Sequence, residues 1–573
     1  MPSADLTQRR LTFNPSENPA YASALSRDGK YLAYSDTAGI HVKLLSTGDE
    51  HVIPRPAAVR ARAYWRAQAW FPDGTQLLVN TYEANGGFSS TWTVSALGQS
   101  ARELREGALG WDVSPDGTRI TFSEGPSALQ PRELWVMGSN GDNPQRVLAL
   151  AENERLGIPY GIWSPDGQHL AYIKVQHTPE TYESFSIETC DLNGANRTTM
   201  VSSPDRPLES LCWLRDGRMI YSRLESPTVF DCNFWQIAID PHTGAAIGKP
   251  KRLTQWAGYD LSWLSASADG KRLTFKKDAY QGQIYLAELA AAGARISSPR
   301  RLTNDEAMNL PTAWTADSKA VFFYSDRNGA WGIFKQGIGQ DRADAVVTGS
   351  ADLLTPRLSP SGDWIVYWED PKTTDSPSNL VRLMRIPVGG GVPQLVLETD
   401  HRTAYDCARV PASPCVLLEE SQDEKKWMVT ALDPLKGRGK VLRTIEKESS
   451  ESLQSLYRAL SPEGATVAVA RGGEAEIHIR LLSLRGGADR EILVKGWQNI
   501  TGLNWSSDGK GFYCGSVSAQ GHTLLYVDLK GNASVLWQNK GWGYVWGVPS
   551  PDGRYLAILD WVFVGNVWML EGF

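Results

Sequence analysis

The sequence predicts an all-β chain, a β-propeller of about twelve four-stranded blades, and three observations carry the prediction. A turn signature returns along the whole chain. A run of alternating apolar residues follows each copy. No helical periodicity separates one copy from the next.

The signature is Ser-Pro-Asp-Gly. It is complete at Ser114–Gly117, Ser164–Gly167 and Ser550–Gly553. Near copies place Asp28, Asp73, Asp216, Asp269 and Asp508 beside a glycine, and Ser461-Pro462-Glu463-Gly464 keeps the pattern with Glu. Weaker copies stand at Thr315–Ser318, at Ser359–Gly362 and around Val410 and Ser413. The period is about 48 residues, near that of propeller blades. The chemistry is that of a tight turn: Gly supplies a positive φ, Asp bonds its own backbone and Pro presets the entry.

Around the turn each repeat has one order. An inner strand comes first, often with Trp just before the turn, as at Trp70, Trp163, Trp213, Trp314 and Trp505. An alternating second strand follows, such as Tyr31-Leu32-Ala33-Tyr34. A third is aromatic, as in Leu134-Trp135-Val136 or Val567-Trp568-Met569, and a fourth reads Arg252-Leu253-Thr254 or Arg301-Leu302-Thr303. A blade with two apolar faces needs a neighbour on each side, and closing a ring removes the exposed ends. Arg10-Leu11-Thr12 reads as a fourth strand with no first three before it, so residues 1–13 are expected to close the last blade, which stops after its third strand. Twelve blades divide most simply into two six-bladed propellers, residues 14–305 and 306–573, with the divide counted to Asn304–Asp305; one large ring is the alternative.

Composition narrows the function classes. The 573 residues are 42% hydrophobic and 21% charged, with 22 Trp, 20 Tyr and 53 Gly, which suits many short strands and tight turns. A net charge of -6 without a long basic run argues against nucleic acid, which is held through clustered Lys and Arg. No run approaches the roughly 18 apolar residues of a membrane span, and the N-terminus lacks the apolar core of a signal peptide. The expectation is a soluble protein, cytoplasmic as encoded, or periplasmic if it is a fragment of a membrane-anchored protein.

No convergent catalytic set is legible. The aspartates Asp28, Asp73, Asp116, Asp166, Asp216, Asp269, Asp508 and Asp552 recur at one turn of the repeat and belong to it. Asp191–Gly194 and Asp326–Gly329 resemble the start of a calcium loop but lack its glutamate and fall at outer hairpins. The six cysteines contain no C-x-x-C and the eight histidines no H-x-x-x-H, so neither a metal nor a cofactor is expected. Cys407 and Cys415 are spaced to pair across a short hairpin, free thiols being the alternative. G-x-S-x-G and Walker-type loops are absent. The irregular positions are more informative: Arg66, Tyr160, Asp260 and Asn309 fall near the starts of inner strands, where a propeller opens its channel, and are the candidate ligand-binding residues.

The Ser-Pro-Asp-Gly turn with Gly29-Lys30-Tyr31-Leu32-Ala33-Tyr34, and the Arg-Leu-Thr fourth strand, resemble the WD-like repeats of TolB-type propellers over almost the whole chain. Asn14–Pro19, Tyr31–Asp36, Leu484–Gly487 and Asn566–Glu571 further resemble the C-terminal propeller module of acidobacterial-type signalling proteins. There it follows a serine/threonine kinase or a winged-helix domain, neither of which is present in this sequence. The resemblance implies a sensory role, with a kinase or regulator output domain in a related chain. The expectation is a non-enzymatic binding propeller that recognises a protein, peptide or small molecule. A channel enzyme of lyase or lactonase type, and a propeller docked on a partner hydrolase, are the alternatives.

Overall fold

The computed structural model describes residues 6–573 apart from 60–62, 83–88, 125–130, 179–181, 205, 226–230, 241–242, 306, 371–379, 400–402, 412, 422, 424, 448–455, 473–475, 519–520 and 541–542. Among the described residues the only helical element is one 3-10 turn, Ala291–Gly293. The strands form ten four-stranded antiparallel sheets and one larger sheet.

The chain divides into two compact units, one of Met1–Ala279 with Val564–Phe573 and one of Tyr280–Phe563. In the first, the inner strands Ala22–Leu25, Tyr64–Trp70, Ala108–Val113, Glu154–Trp163, Leu208–Trp213 and Tyr259–Ala266 each lie beside the next, and the last beside the first. The second closes the same cycle with Asn309–Trp314, Asp352–Leu358, Ala404–Cys407, Leu456–Leu460, Ile500–Trp505 and Gly543–Pro549. Each unit is a ring of six blades.

The division at Ala279/Tyr280 differs from the one counted to Asn304–Asp305. The count gives whole repeats to one ring, whereas the sixth and twelfth repeats each supply strands to both. In the first unit, Tyr259–Ala266 pairs with the opening part of the strand Arg272–Ala290, while Thr7–Arg10 pairs with Trp568–Glu571 at the end of the strand Tyr555–Glu571. Arg272 Nε meets Glu571 Oε1 at 3.3 Å within that blade. In the second unit, Gly543–Pro549 pairs with Leu556–Val562, and Tyr285 and Leu286 pair with Arg301 and Arg300. Leu289 N donates to Arg554 O at 2.8 Å there. The N-terminal strand does meet the last strand, but the inner strand of its blade is Tyr259–Ala266.

Local chemistry repeats from blade to blade. In the turns Ser26, Ser114, Ser164, Ser267, Ser506 and Ser550 each donate Oγ–H to the aspartate two residues on, at 2.5–2.7 Å. The same Oγ of Ser114, Ser164 and Ser550 accepts the backbone N–H five residues on, at 2.9 Å, so one hydroxyl closes the hairpin. In the three fourth strands that read Arg-Leu-Thr the arginine Nε donates to the threonine carbonyl: Arg10 to Thr12, Arg252 to Thr254 and Arg301 to Thr303, at 2.7–2.8 Å. The threonine hydroxyl donates to Asn566, Asn233 or Gln283 at the start of the third strand.

The tryptophans before the turns join neighbouring blades. Trp70 Nε1 donates to Ala24 O at 3.0 Å, Trp505 to Ala459 O at 3.1 Å and Trp314 to Val548 O at 2.8 Å. Their rings lie in the apolar layers between blades. Cys407 and Cys415 face each other across a strand pair and are joined by a disulfide.

Candidate functional site

The first unit encloses a cavity of about 200 Å3 to which every blade contributes; Ser23, Gln68, Asp112, Ile162, Glu209 and Trp263 line it, one from each. Inner strands of an ideal blade would present only alternate residues here. Five of these six strands depart from the ladder, at Ala67/Ala69, Gly110/Asp112, Gly157/Ile162, Leu208/Ser210 and Ser262/Ser265. Such bulges turn side chains that a regular pleat would send elsewhere.

The last of these bulges holds Trp263 at φ 58, in the left-handed region. A bulky residue there costs about 1–2 kcal/mol. Ser210 Oγ accepts Leu264 N at 3.1 Å, fixing the bulge from the neighbouring blade. The Trp263 ring lies 5.6 Å from the guanidinium carbon of Arg66, whose other neighbours are the rings of Tyr82 at 4.3 Å, Tyr64 at 5.0 Å and Tyr21 at 5.4 Å. Among the described residues no carboxylate pairs with Arg66, and its buried Nε has no acceptor. The positive charge lowers the Tyr82 phenol, but burial outweighs it and leaves that group pushed up to about 12; Tyr21 is raised for the same reason.

A second group of polar side chains lies in the same unit. Ligand atoms of Glu209, Cys232 and Asp260 all fall within 4.8 Å of one another. Burial, then the charge of Asp260, holds the Glu209 carboxyl well above its ordinary value. Asp278, paired with Lys276, is pushed up to about 6, again by burial first. Burial and the adjacent carboxylates also raise the Cys232 thiol. With no cation present, these shifts favour a proton shared among the carboxyls.

At the turn end of the ring, Asp112 accepts Val113 N at 2.9 Å and Trp163 N at 3.0 Å, which ties the third blade to the fourth. Burial pushes its carboxyl up to about 6 against the pull of Arg27.

Of the sequence candidates, Arg66 is at the centre of the aromatic group and Asp260 joins Glu209. Tyr160 is in neither group: it is buried in the apolar layer between blades, edge-on to Trp111 at 4.2 Å. Asn309 belongs to the second unit and is structural there. Its Nδ2 donates to Asp305 Oδ1 at 2.7 Å and its Oδ1 accepts from Arg327 at 2.6 Å. The residues that sequence reasoning missed are Glu209, Tyr21, Tyr64, Tyr82 and Trp263. One signal was legible: Trp263 stands six residues before its turn aspartate, Asp269, where five other blades place Trp three before.

No family model matches the chain. Over 88 residues it is 31% identical to the Tol-Pal system protein TolB of Anaeromyxobacter dehalogenans (strain 2CP-C), covering 15% of this chain and 19% of that protein. TolB of Anaeromyxobacter sp. (strain K) matches over the same length at 31%. The match thus spans about a fifth of the length of these curated relatives. Among solved structures, the tricorn protease is similar over 89% of this chain and 49% of its own, at 13% identity and a TM-score of 0.35. An oligogalacturonate lyase in complex with manganese is similar over 78% of this chain and 99% of its own, at 15% identity and a TM-score of 0.30. The chain is a β-propeller protein with TolB-like similarity. Among the described residues no helix is long and apolar enough to cross a membrane.

Proposed function

We propose that the chain is a ligand-binding, sensory propeller, and that the first unit takes a small ligand with an anionic group at Arg66. One observation carries the reading: a guanidinium held among four aromatic rings with no carboxylate partner among the described residues. Aromatic walls hold the cation in place and keep it poorly solvated, so an arriving anion displaces little water and meets a positioned donor. The strained Trp263 completes the walls, and strain of this kind gathers at ligand sites. The likeness of Asn14–Pro19 and Asn566–Glu571 to the propeller modules of bacterial signalling proteins supports the sensory role, with the output domain on another chain. The TolB likeness and the Cys407–Cys415 disulfide support an oxidising, extracytoplasmic compartment.

A second reading, a channel enzyme, has one observation in its favour: the raised carboxyls of Glu209 and Asp278 are suited to holding a proton for general-acid chemistry. The test is a thermal-shift screen of small carboxylates and sulfonates, followed by calorimetry on wild type, Arg66→Ala and Glu209→Gln. A ligand bound by wild type and Glu209→Gln but lost in Arg66→Ala supports the binding reading. Undiminished binding by Arg66→Ala, or turnover that Glu209→Gln abolishes, would overturn it.

A further inference from the structure

The turn end of the second unit carries a different charge pattern. Three arginines from three consecutive blades stand there around one aspartate, Asp406. Arg357 is the last residue but one of the inner strand Asp352–Leu358, Arg409 follows Ala404–Cys407, and Arg458 lies within Leu456–Leu460. One carboxylate, Asp406, stands among them and is already engaged. Its Oδ1 accepts Cys407 N at 2.9 Å and Arg357 Nε at 3.2 Å, and its Oδ2 accepts Leu460 N at 2.9 Å. Arg409 spends one nitrogen on Ser507 Oγ at 3.3 Å, and Arg458 one on Leu456 O at 2.9 Å. Among the described residues neither has an ion-pair partner.

The surplus is expensive. Burial, and then the like charge of Arg357, hold Arg458 down to about 10, and burial lowers Arg409 as well. Half-buried guanidiniums without matching anions are costly to a fold, though less so than fully buried ones.

The first unit builds the corresponding three blades with neutral residues at these positions. Asp406 has a counterpart in Asp112, which bonds the N–H of its own next residue and that of Trp163 on the following blade, as Asp406 bonds Cys407 and Leu460. Counting from this aspartate and from the turn glycines, Arg357 stands where the first unit has Ala69, Arg409 where it has Pro115 and Arg458 where it has Gly161. These three positions are cationic in the second ring and neutral in the first, whose own turn end carries Arg27 and Arg215 on other blades, beside Asp112. The backbone also bends to present Arg357: the inner strand slips between Leu354 and Arg357, with Thr355 at φ 49.

We propose that Arg357, Arg409 and Arg458 form a binding site for a multiply charged oxyanion of the phosphate class, free or as the phosphoryl end of a small metabolite. Forked guanidinium donors match phosphoryl oxygens, and three of them offset two negative charges while Asp406 holds the first in position. This site is independent of Arg66 and extends the binding role to the other ring.

The test uses the full chain at constant ionic strength. Inorganic phosphate and glycerol 3-phosphate are titrated by calorimetry and thermal shift into wild type, Arg409→Gln, Arg458→Gln, the double variant and Arg66→Ala. Wild type is expected to bind at least one probe saturably. Each single variant should lose about tenfold to a hundredfold in affinity, the double variant all specific binding, and Arg66→Ala none. Without phosphate, Arg458→Gln should melt no lower than wild type. Binding of glycerol 3-phosphate alone assigns the site to a phosphomonoester, and binding of both to the phosphoryl group itself. No binding of either probe by wild type, unchanged binding by the double variant, or loss of binding in Arg66→Ala would each overturn the proposal.

Discussion

Replacing Trp70 and Trp163 by Phe isolates the hydrogen bond that joins neighbouring blades. The two stand at the same position of their repeats, in the same unit, at 5% and 4% exposure. Each substitution removes the same ring atoms from an equally buried place, so the transfer and cavity costs nearly cancel. What remains is that Trp70 Nε1 donates to Ala24 O at 3.0 Å, whereas Trp163 Nε1 meets no acceptor among the described residues. A hydrogen bond of this kind contributes about 0.5–1.5 kcal/mol net. Trp70→Phe should therefore be less stable than Trp163→Phe by about 1 kcal/mol. Urea unfolding followed by far-UV circular dichroism reads the difference, because both substitutions report on the first unit and share its slope. Trp505→Phe, which loses a bond to Ala459 O at 3.1 Å, repeats the experiment in the second unit. Equal losses for Trp70→Phe and Trp163→Phe would refute the claim that the indole N–H, and not only ring packing, holds the blades together.

Stability should rise as pH falls from 7 to 5. Asp112 and Asp278 titrate near 6 in the folded protein, above the ordinary value of 3.8, so between these values the native state holds protons the unfolded chain has lost, and stability present below about 4 is lost as pH rises through 6. His41, raised by Asp36 and Glu50 against its burial, acts in the same direction, while turn aspartates such as Asp116, lowered to about 2, oppose it only below about pH 4. Asp112→Asn should flatten the pH 5–7 slope in chemical denaturation, and an unchanged slope would remove Asp112 from the account. At Ser318, which takes the glycine position of its turn at φ 60, Gly relieves about 1 kcal/mol of strain but loses the 3.2 Å bond from Asp552 N, worth about as much. Ser318→Gly should be near neutral and Ser318→Ala about 1 kcal/mol less stable; the reverse order in thermal melts would contradict this.

Much of the blade was legible because its chemistry is local. Ser114 reaches Asp116 and the amide of Arg119, and Arg252 reaches Thr254, all within five residues, so the turns and the fourth strand could be read from spacing alone. The site was only partly legible. Arg66 and Asp260 stood out as irregular, but a strand start says only that a residue is near the channel. Tyr160 and Asn309 have the same sequence appearance and are held by core packing and by Arg327.

The sequence by itself determined the repeat, its period and the four-stranded blade, because each depends on turn residues and a two-residue alternation that neighbours dictate. Only the tertiary structure decided where the rings divide and what their channels hold. The divide lies inside Arg272–Ala290 and Tyr555–Glu571, strands whose partners are hundreds of residues apart. The channels are lined through bulges that a pattern of alternating residues does not reveal. Trp263 over Arg66, and Arg357 and Arg458 beside Asp406 and Arg409, come together only when blades pack against one another, since no single blade supplies the whole group and none can be recognised without the others.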